Sequence, residues 1–327
     1  MVLPKMPPSE SAMHRPSRIG ITDIDDINRV FSDAFTDRYR RDGLVGVRVP
    51  RLNPAIWRYA LEGAGTGAML WRDERGQVMA FNVAHCSGRE GWMGPLAVRT
   101  DRQGFGLGQV VVMSAVKWLQ SRSASTIGLE TMPRTVDNIG FYSRLGFLPG
   151  HLTVTAVGDV RPRVATDIPF VRLSNLSRTH QEELIAGCRA RLDQSAPGYD
   201  FSRELMLTEE LGVGDTIVLE QGGIRGFALW HHAALVEARP PEELRLLKLF
   251  ADSRETLDSL LAVLEVCATE VALGRIAVRA QTRFRDAYTL LVQRGYRVRW
   301  TDLRMTLEGY DSLTLPQGEV LFSNWEI

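Results

Sequence analysis

The chain has 327 residues, 44% hydrophobic and 24% charged, a composition that suits a folded globular protein and a length sufficient for two domains. Its 39 basic and 39 acidic side chains cancel, so no global field favours nucleic acid or an anionic membrane, and neither is expected as a partner. Cys86, Cys188 and Cys267 are far apart in apolar surroundings and read as reduced thiols, no apolar run nears the roughly 20 residues of a membrane span, and the N-terminus has no secretory h-region, so the cytoplasm is the expected compartment.

Residues 1–16 lack periodicity and are expected to be disordered. Residues 18–21 give a short strand, and Asp23 or Asp25 can cap a helix running to about Ala34, with Ile27, Val30, Phe31 and Phe35 at helical spacing. A charged link, 36–42, precedes a second helix with Asn53 as N-cap and Pro54 at its first position. Residues 68–71 and 78–83 form a hairpin around a turn ending at Gly76. The next strand starts at Glu90 and ends on the apolar Leu96, Ala97 and Val98.

After that strand comes Gln103-Gly104-Phe105-Gly106-Leu107-Gly108, opening a helix to Ser121. Gly104, Gly106 and Gly108 remove Cβ atoms where backbone N–H groups converge at a helix start, and the natural guest of such a start is a phosphate. Gln109 stands where a dinucleotide fingerprint needs its last glycine, and the loop lacks the lysine of a Walker motif. A strand over 126–131 follows, then a helix carrying Asn138 and Tyr142, then Gly146-Phe147 into another strand.

Gln103-x-x-Gly106-x-Gly108, followed in order by Asn138, Tyr142 and Gly146-Phe147, resembles the acetyl-CoA site of the GCN5-related N-acetyltransferases (GNAT). The resemblance implies a mixed, twisted sheet flanked by helices, with acyl-CoA between two splayed parallel strands. It implies pyrophosphate on residues 103–108, pantetheine along Leu96, Ala97 and Val98 and beside Asn138, and Tyr142 as the acid at the CoA sulfur. The implied activity is transfer of an acetyl group from acetyl-CoA to a primary amine in a ternary complex, without a covalent enzyme intermediate. The competing reading is a non-catalytic acyl-CoA sensor or assembly module with the same fold.

Residues 159–167 are polar and proline-broken and read as a linker. Beyond them the first half is repeated: 222–227 mirrors 76–81, and Gly295-Tyr296 mirrors Gly146-Phe147, with strand, helix, strand and helix between, and a last strand over 319–322. The expected architecture is therefore α/β with two tandem GNAT-like domains, a catalytic one over 17–158 and a degenerate one over 168–327. In the second copy 251–258 holds no glycine but Asp252, Glu255 and Asp258, while Ala287 and Leu291 stand for Asn138 and Tyr142. That copy would serve structure, the acceptor pocket wall or a homodimer contact.

Glu130, on a central parallel strand near the cleft, is the first candidate for the base that frees the amine, and Arg134 is its candidate ion partner. His85 and Glu90 are weaker candidates, since His85 has a counterpart, His231, in the inactive copy. His231-His232 lacks further ligands at metal spacing, so no metal is expected. The acceptor, a small-molecule or peptide amine, has no motif that names it.

Overall fold

The computed structural model describes residues 16–161 and 165–325; the expected disorder over 1–15 and the middle of the expected linker, 162–164, lie outside the described residues. Strand β1 (Ser17–Arg18) leads into helix α1 (Ile24–Arg41). The helix does not stop near Ala34. Its last turns are stitched by Asp37 with Arg40 (2.6 Å) and Arg41 (2.5 Å), and by Arg38 with Asp42, so the charged link is helical. Basic residues there also suit the helix C-terminus. Helix α2 (Pro54–Ala64) starts as its sequence predicts, Asn53 Oδ1 accepting from Ala55 N at 3.0 Å.

Strands β2 (Ala68–Arg72), β3 (Val78–Ser87) and β4 (Glu90–Val98) form an antiparallel meander. Helix α3 (Leu107–Ser121) then crosses to β5 (Thr126–Thr131), parallel to β4, and α4 (Val136–Ser143) leads to the long β6 (Phe147–Asp159). The second half follows the same order. It comprises β7 (Val171–Arg172), α5 (Arg178–Ser195), α6 (Ser202–Leu211), β8 (Gly214–Glu220), β9 (Ile224–His231), β10 (Leu244–Ala251), α7 (Arg254–Glu270), β11 (Arg275–Gln281), α8 (Arg285–Gln293), β12 (Arg297–Leu307) and β13 (Val320–Ser323).

The two halves share one sheet, ordered β1-β2-β3-β4-β5-β12-β6-β11-β10-β9-β8-β7, with β13 beside β10. Each half lends its long strand to the other. Strand β12 lies between β5 and β6, with Leu303 opposite Thr131, and β6 lies between β12 and β11, with Thr153 opposite Gln281. The cores follow the exchange. Met305 of β12 packs with Val112, Leu119, Tyr142 and Phe147 of the first half, and Ala156 of β6 packs with Leu264, Val278 and Leu291 of the second. On the other face, α1 and α2 bury Phe31 and Trp57 against Phe81, and α5 and α6 bury Leu192 and Phe201 with Phe227 and Phe250.

The parallel pair in each half separates at a β-bulge. β4 and β5 are paired from Glu90↔Thr126 to Met93↔Leu129 and no further, where the β3–β4 register shifts between Asn82 and Ala84. β10 and β11 stop at Leu246↔Val278, where the β9–β10 register shifts at Leu246/Lys248. The fates of the two gaps differ. In the second half the gap takes in β13, whose Val320–Ser323 pairs antiparallel with β10 from Ala251 to Lys248. In the first half the gap opens into a cavity.

Candidate active site

That cavity holds about 740 Å³. Its floor is the diverging pair: Leu96, Ala97 and Val98 of β4, and Leu129, Glu130 and Thr131 of β5. At one end lie Gln103, Gly104, Gly106 and Gly108, and Asn138, Phe141 and Tyr142 of α4 border it as well. The sequence-named residues therefore converge on one space, with two exceptions. Phe105 and Leu107 are not among the lining residues; Leu107 is buried with Trp71 and Val111 and anchors the helix rather than the guest.

The glycine loop has the backbone geometry a phosphate cradle needs. Gly106 is the N-cap of α3 with φ +82°, and Gly104 has φ +91°, both in the left-handed region; a Cβ on either would meet nothing within 4 Å. The helix behind them presents N–H groups that have no intrahelical acceptor. The loop is held from below: Gln103 Nε2 donates to Val98 O at 2.9 Å, and Asp73 reaches Arg99 (3.4 Å) and Arg102 (3.6 Å). These features fit a pyrophosphate, with charge supplied by the helix terminus rather than by a lysine.

Tyr142 sits where α4 faces the cavity. Its ring is buried against Phe141 and Phe147, and its hydroxyl has no hydrogen-bond partner among the described residues. Burial pushes its pKa up, so the phenol keeps its proton at any working pH. A neutral, unengaged O–H at the wall of a cleft is a donor in waiting.

Glu130 also lines the cavity, but it is engaged. Burial alone would raise its pKa; the charges of Arg279 and Arg304, and hydrogen bonds from Thr153 and Arg279, outweigh that and hold the carboxyl below its usual range. Thr153 Oγ1 donates to Oε1 at 2.5 Å, Arg304 Nε lies 3.7 Å from Oε1, and Arg279 is bonded to Oε2. The expected partner Arg134 is elsewhere, donating to Asp42 O at 2.6 Å and tethering the end of α1. Both arginines of Glu130 come from the second half, brought in by the strand exchange.

The weaker candidates lie outside the cavity. His85 is buried, stacks on Trp325 at 5.6 Å and is pulled down to about 3 by burial and by nearby Lys248, so it is a neutral packing residue. Glu90 accepts from Trp92 Nε1 (3.0 Å) and from Ser323 Oγ (2.6 Å), which makes it part of the seam with the C-terminal strand. His231 bonds Thr208 Oγ1 at 3.0 Å under the edge of the Tyr59 ring. No cluster of metal-ligating side chains occurs among the described residues.

Four further lining residues carry no motif in the sequence. Phe35 and Tyr39 enter from the part of α1 read as a helix end and a link, and Trp300 and Asp302 enter from β12 of the second half. The strand exchange brings Trp300 and Asp302 here, whereas Phe35 and Tyr39 come from the first half's own α1.

A helix start suited to a phosphate, a slot between splayed parallel strands and a phenol without a hydrogen-bond partner among the described residues thus surround one cavity. Residues 30–147 match the model of the acetyltransferase (GNAT) family. No curated protein matches the sequence. Among solved structures, a Pyrococcus horikoshii protein assigned as an acetyltransferase is 17% identical, with 95% of this chain and 93% of that one covered and a TM-score of 0.64. A tandem GNAT protein of the clavulanic acid biosynthesis pathway is 12% identical over 91% of this chain and 98% of that one, with a TM-score of 0.56. Saccharomyces cerevisiae N-myristoyltransferase, solved with bound myristoyl-CoA, is 10% identical over 99% of this chain and 83% of that one, with a TM-score of 0.60. The whole chain thus shares its fold with these structures, a tandem GNAT protein among them, and the family match over residues 30–147 agrees with acyl transfer in general. No helix among the described residues is long and apolar enough to cross a membrane.

Proposed function

We propose that the protein transfers an acetyl group from acetyl-CoA to a primary amine, in one ternary complex. The observation that carries this reading is that the glycine loop and the unengaged Tyr142 hydroxyl border the same cavity, between strands that part at a bulge. The backbone N–H groups at the start of α3 would hold the pyrophosphate, and Leu96, Ala97 and Val98 the pantetheine arm, with Asn138 alongside. In the reaction the neutral amine nitrogen bonds to the thioester carbon, the C–S bond breaks, and the proton the nitrogen gives up on becoming an amide balances the proton the sulfur takes up to form free CoA thiol. Tyr142 supplies a donor to that sulfur as its charge develops, and holding both substrates in one cavity supplies proximity. No metal is required by these steps, and the residues assembled here offer none a ligand set. A non-catalytic acyl-CoA sensor would keep the loop and the slot, but the placement of the Tyr142 hydroxyl favours turnover.

The test is thiol release from acetyl-CoA over a panel of primary amines, with acetyl-CoA binding followed by calorimetry in parallel. Binding with amine-dependent thiol release is expected. Binding with no release for any amine would favour the sensor.

A further inference from the structure

The second half contributes side chains to the open end of this cavity, and their arrangement bears on the acceptor. Leu303 is opposite Thr131, so Asp302 stands just past the end of β5, on the side where β4 and β5 have parted. Trp300, two residues earlier on the same strand, points the same way and is 38% exposed, one of the few large apolar side chains left to solvent. Its ring lies 6.1 Å from that of Tyr39 on α1. Trp300 Nε1 donates to Asp302 Oδ1 at 3.1 Å, fixing the carboxylate beside the two rings. The result is one carboxylate at the indole edge beside a pair of tilted aromatic rings, a combination that suits an ammonium with an apolar flank.

Three carboxylates, Asp37, Glu130 and Asp302, line this cavity, and they are not equivalent. Asp37 is paired with Arg40 and Arg41 of its own helix. Glu130 is bonded by Thr153 and Arg279 and neighboured by Arg304. Asp302 has only the indole N–H and Arg279 Nη2 at 3.1 Å, a guanidinium already committed to Glu130. Resting on the acetyltransferase reading above, we propose that Asp302, supplied by the degenerate second half, receives the acceptor as an ammonium beside Tyr39 and Trp300 and takes its proton. The step balances: the ammonium and the Asp302 carboxylate become a neutral amine and a carboxylic acid. The amine then attacks the thioester carbon, and the acid returns its proton to solvent after products leave.

The groups around Asp302 support this assignment. Facing it are Arg279 from β11, Glu130 from β5 and Tyr39 from α1, with Thr153 of β6 opposite in the register; Asp37, Arg38 and Arg41 of α1 and Arg144 also line the cavity. Burial and then the Glu130 charge push Asp302 up, while Arg279 and the Trp300 hydrogen bond pull the other way; the net direction is upward. Glu130 is shifted downward. A raised carboxylate is the better proton acceptor of the two.

The experiment measures acetyl-CoA binding by calorimetry and thiol release with 2-phenylethylamine, spermidine and a tetrapeptide as acceptors. It compares wild type with Asp302→Asn, Asp302→Glu and Glu130→Gln. Asp302→Asn should bind acetyl-CoA as wild type does yet lose about 10²–10⁴ in kcat/KM for the amine, the span of a positioned general base, with partial recovery in Asp302→Glu. The acid limb of the wild-type pH profile should lie above the ordinary carboxylate range and vanish in Asp302→Asn. In Glu130→Gln that limb should move to lower pH, because a repelling charge is gone and Arg279 is left to Asp302. Wild-type binding without release for any amine would sink the acetyltransferase reading and this proposal with it. Brisk amine turnover in Asp302→Asn, or loss confined to Glu130→Gln, would overturn the Asp302 assignment alone.

Discussion

At the scale of single residues, what decides the chemistry is which polar groups remain unengaged. Tyr142 keeps its proton and spends it on no partner among the described residues, so Tyr142→Phe removes only a donor. Turnover should fall by about 10²–10⁴ while acetyl-CoA affinity holds, since the ring still fills its place against Phe147. A change of only a few fold would make Tyr142 a packing residue. Glu130 is the opposite case, with its charge fully absorbed. Replacing it by Gln leaves Arg279 and Arg304 without their main carboxylate, and loss of charged hydrogen bonds typically costs about 1.5–3 kcal/mol. Because its folded pKa is depressed, the stability it contributes is fully present above the ordinary carboxylate pKa near 4.3 and is lost as pH falls through the lower folded value. Urea unfolding of wild type and Glu130→Gln should therefore differ at pH 7 and converge in strong acid. Equal stability at pH 7 would show that the ion pairs contribute nothing net.

At the scale of elements, the question is why one gap stays open and its copy is filled. Gly106→Asp places a carboxylate at the N-cap of α3, where it would satisfy the helix start and take the role of a phosphate. Asp tolerates the left-handed backbone better than most residues, so the chain should still fold. Gly108→Asp tests the same point without that backbone demand, since Gly108 is helical and its new Cβ would meet only Phe141, at 3.4 Å. Both variants should lose calorimetric binding of acetyl-CoA, and unchanged affinity in either folded variant would refute the phosphate cradle. In the copy the three carboxylates visible in the sequence are only part of the reason. Ser253, not a carboxylate, caps α7, accepting from Thr256 N at 3.2 Å, and Asp252 is taken up by Arg225 and Thr256. The larger obstacle is β13, which occupies the gap itself, with Phe322 wholly buried. Titration should accordingly give one acetyl-CoA per chain, falling to none in Gly106→Asp; two sites would mean that β13 yields.

At the scale of the molecule, the strand exchange is what sequence reading could not reach. Local signals carried far: the glycine loop, Asn138, Tyr142 and the internal repeat are short-range patterns, and most strands and helices fall near where periodicity put them. Partnerships between distant strands leave no such trace, because β6 and β12 carry the same apolar alternation whichever neighbour they pair with. The extra helical turns of α1 were hidden for a related reason, since residues 37–42 carry one aromatic, Tyr39, among five charges and are held mainly by ion pairs rather than by an apolar stripe. The exchange has a consequence for stability. A first half cut off before β12 would present β5 as a bare edge, lose Met305 from its core and strand Glu130 without Arg279 and Arg304. The second half would likewise lose β6, which separates β11 from β12. The intact chain should therefore unfold in a single cooperative step, with calorimetric and van't Hoff enthalpies in agreement, although it is long enough for two domains. Acetyl-CoA binds only the first half on the reading proposed here, yet saturation at about 100 times Kd should stabilise the entire chain by about 2.7 kcal/mol and move that one transition as a whole. Two resolved transitions, with only the earlier or the later one shifted by acetyl-CoA, would show that the halves fold apart and that the shared sheet couples them weakly.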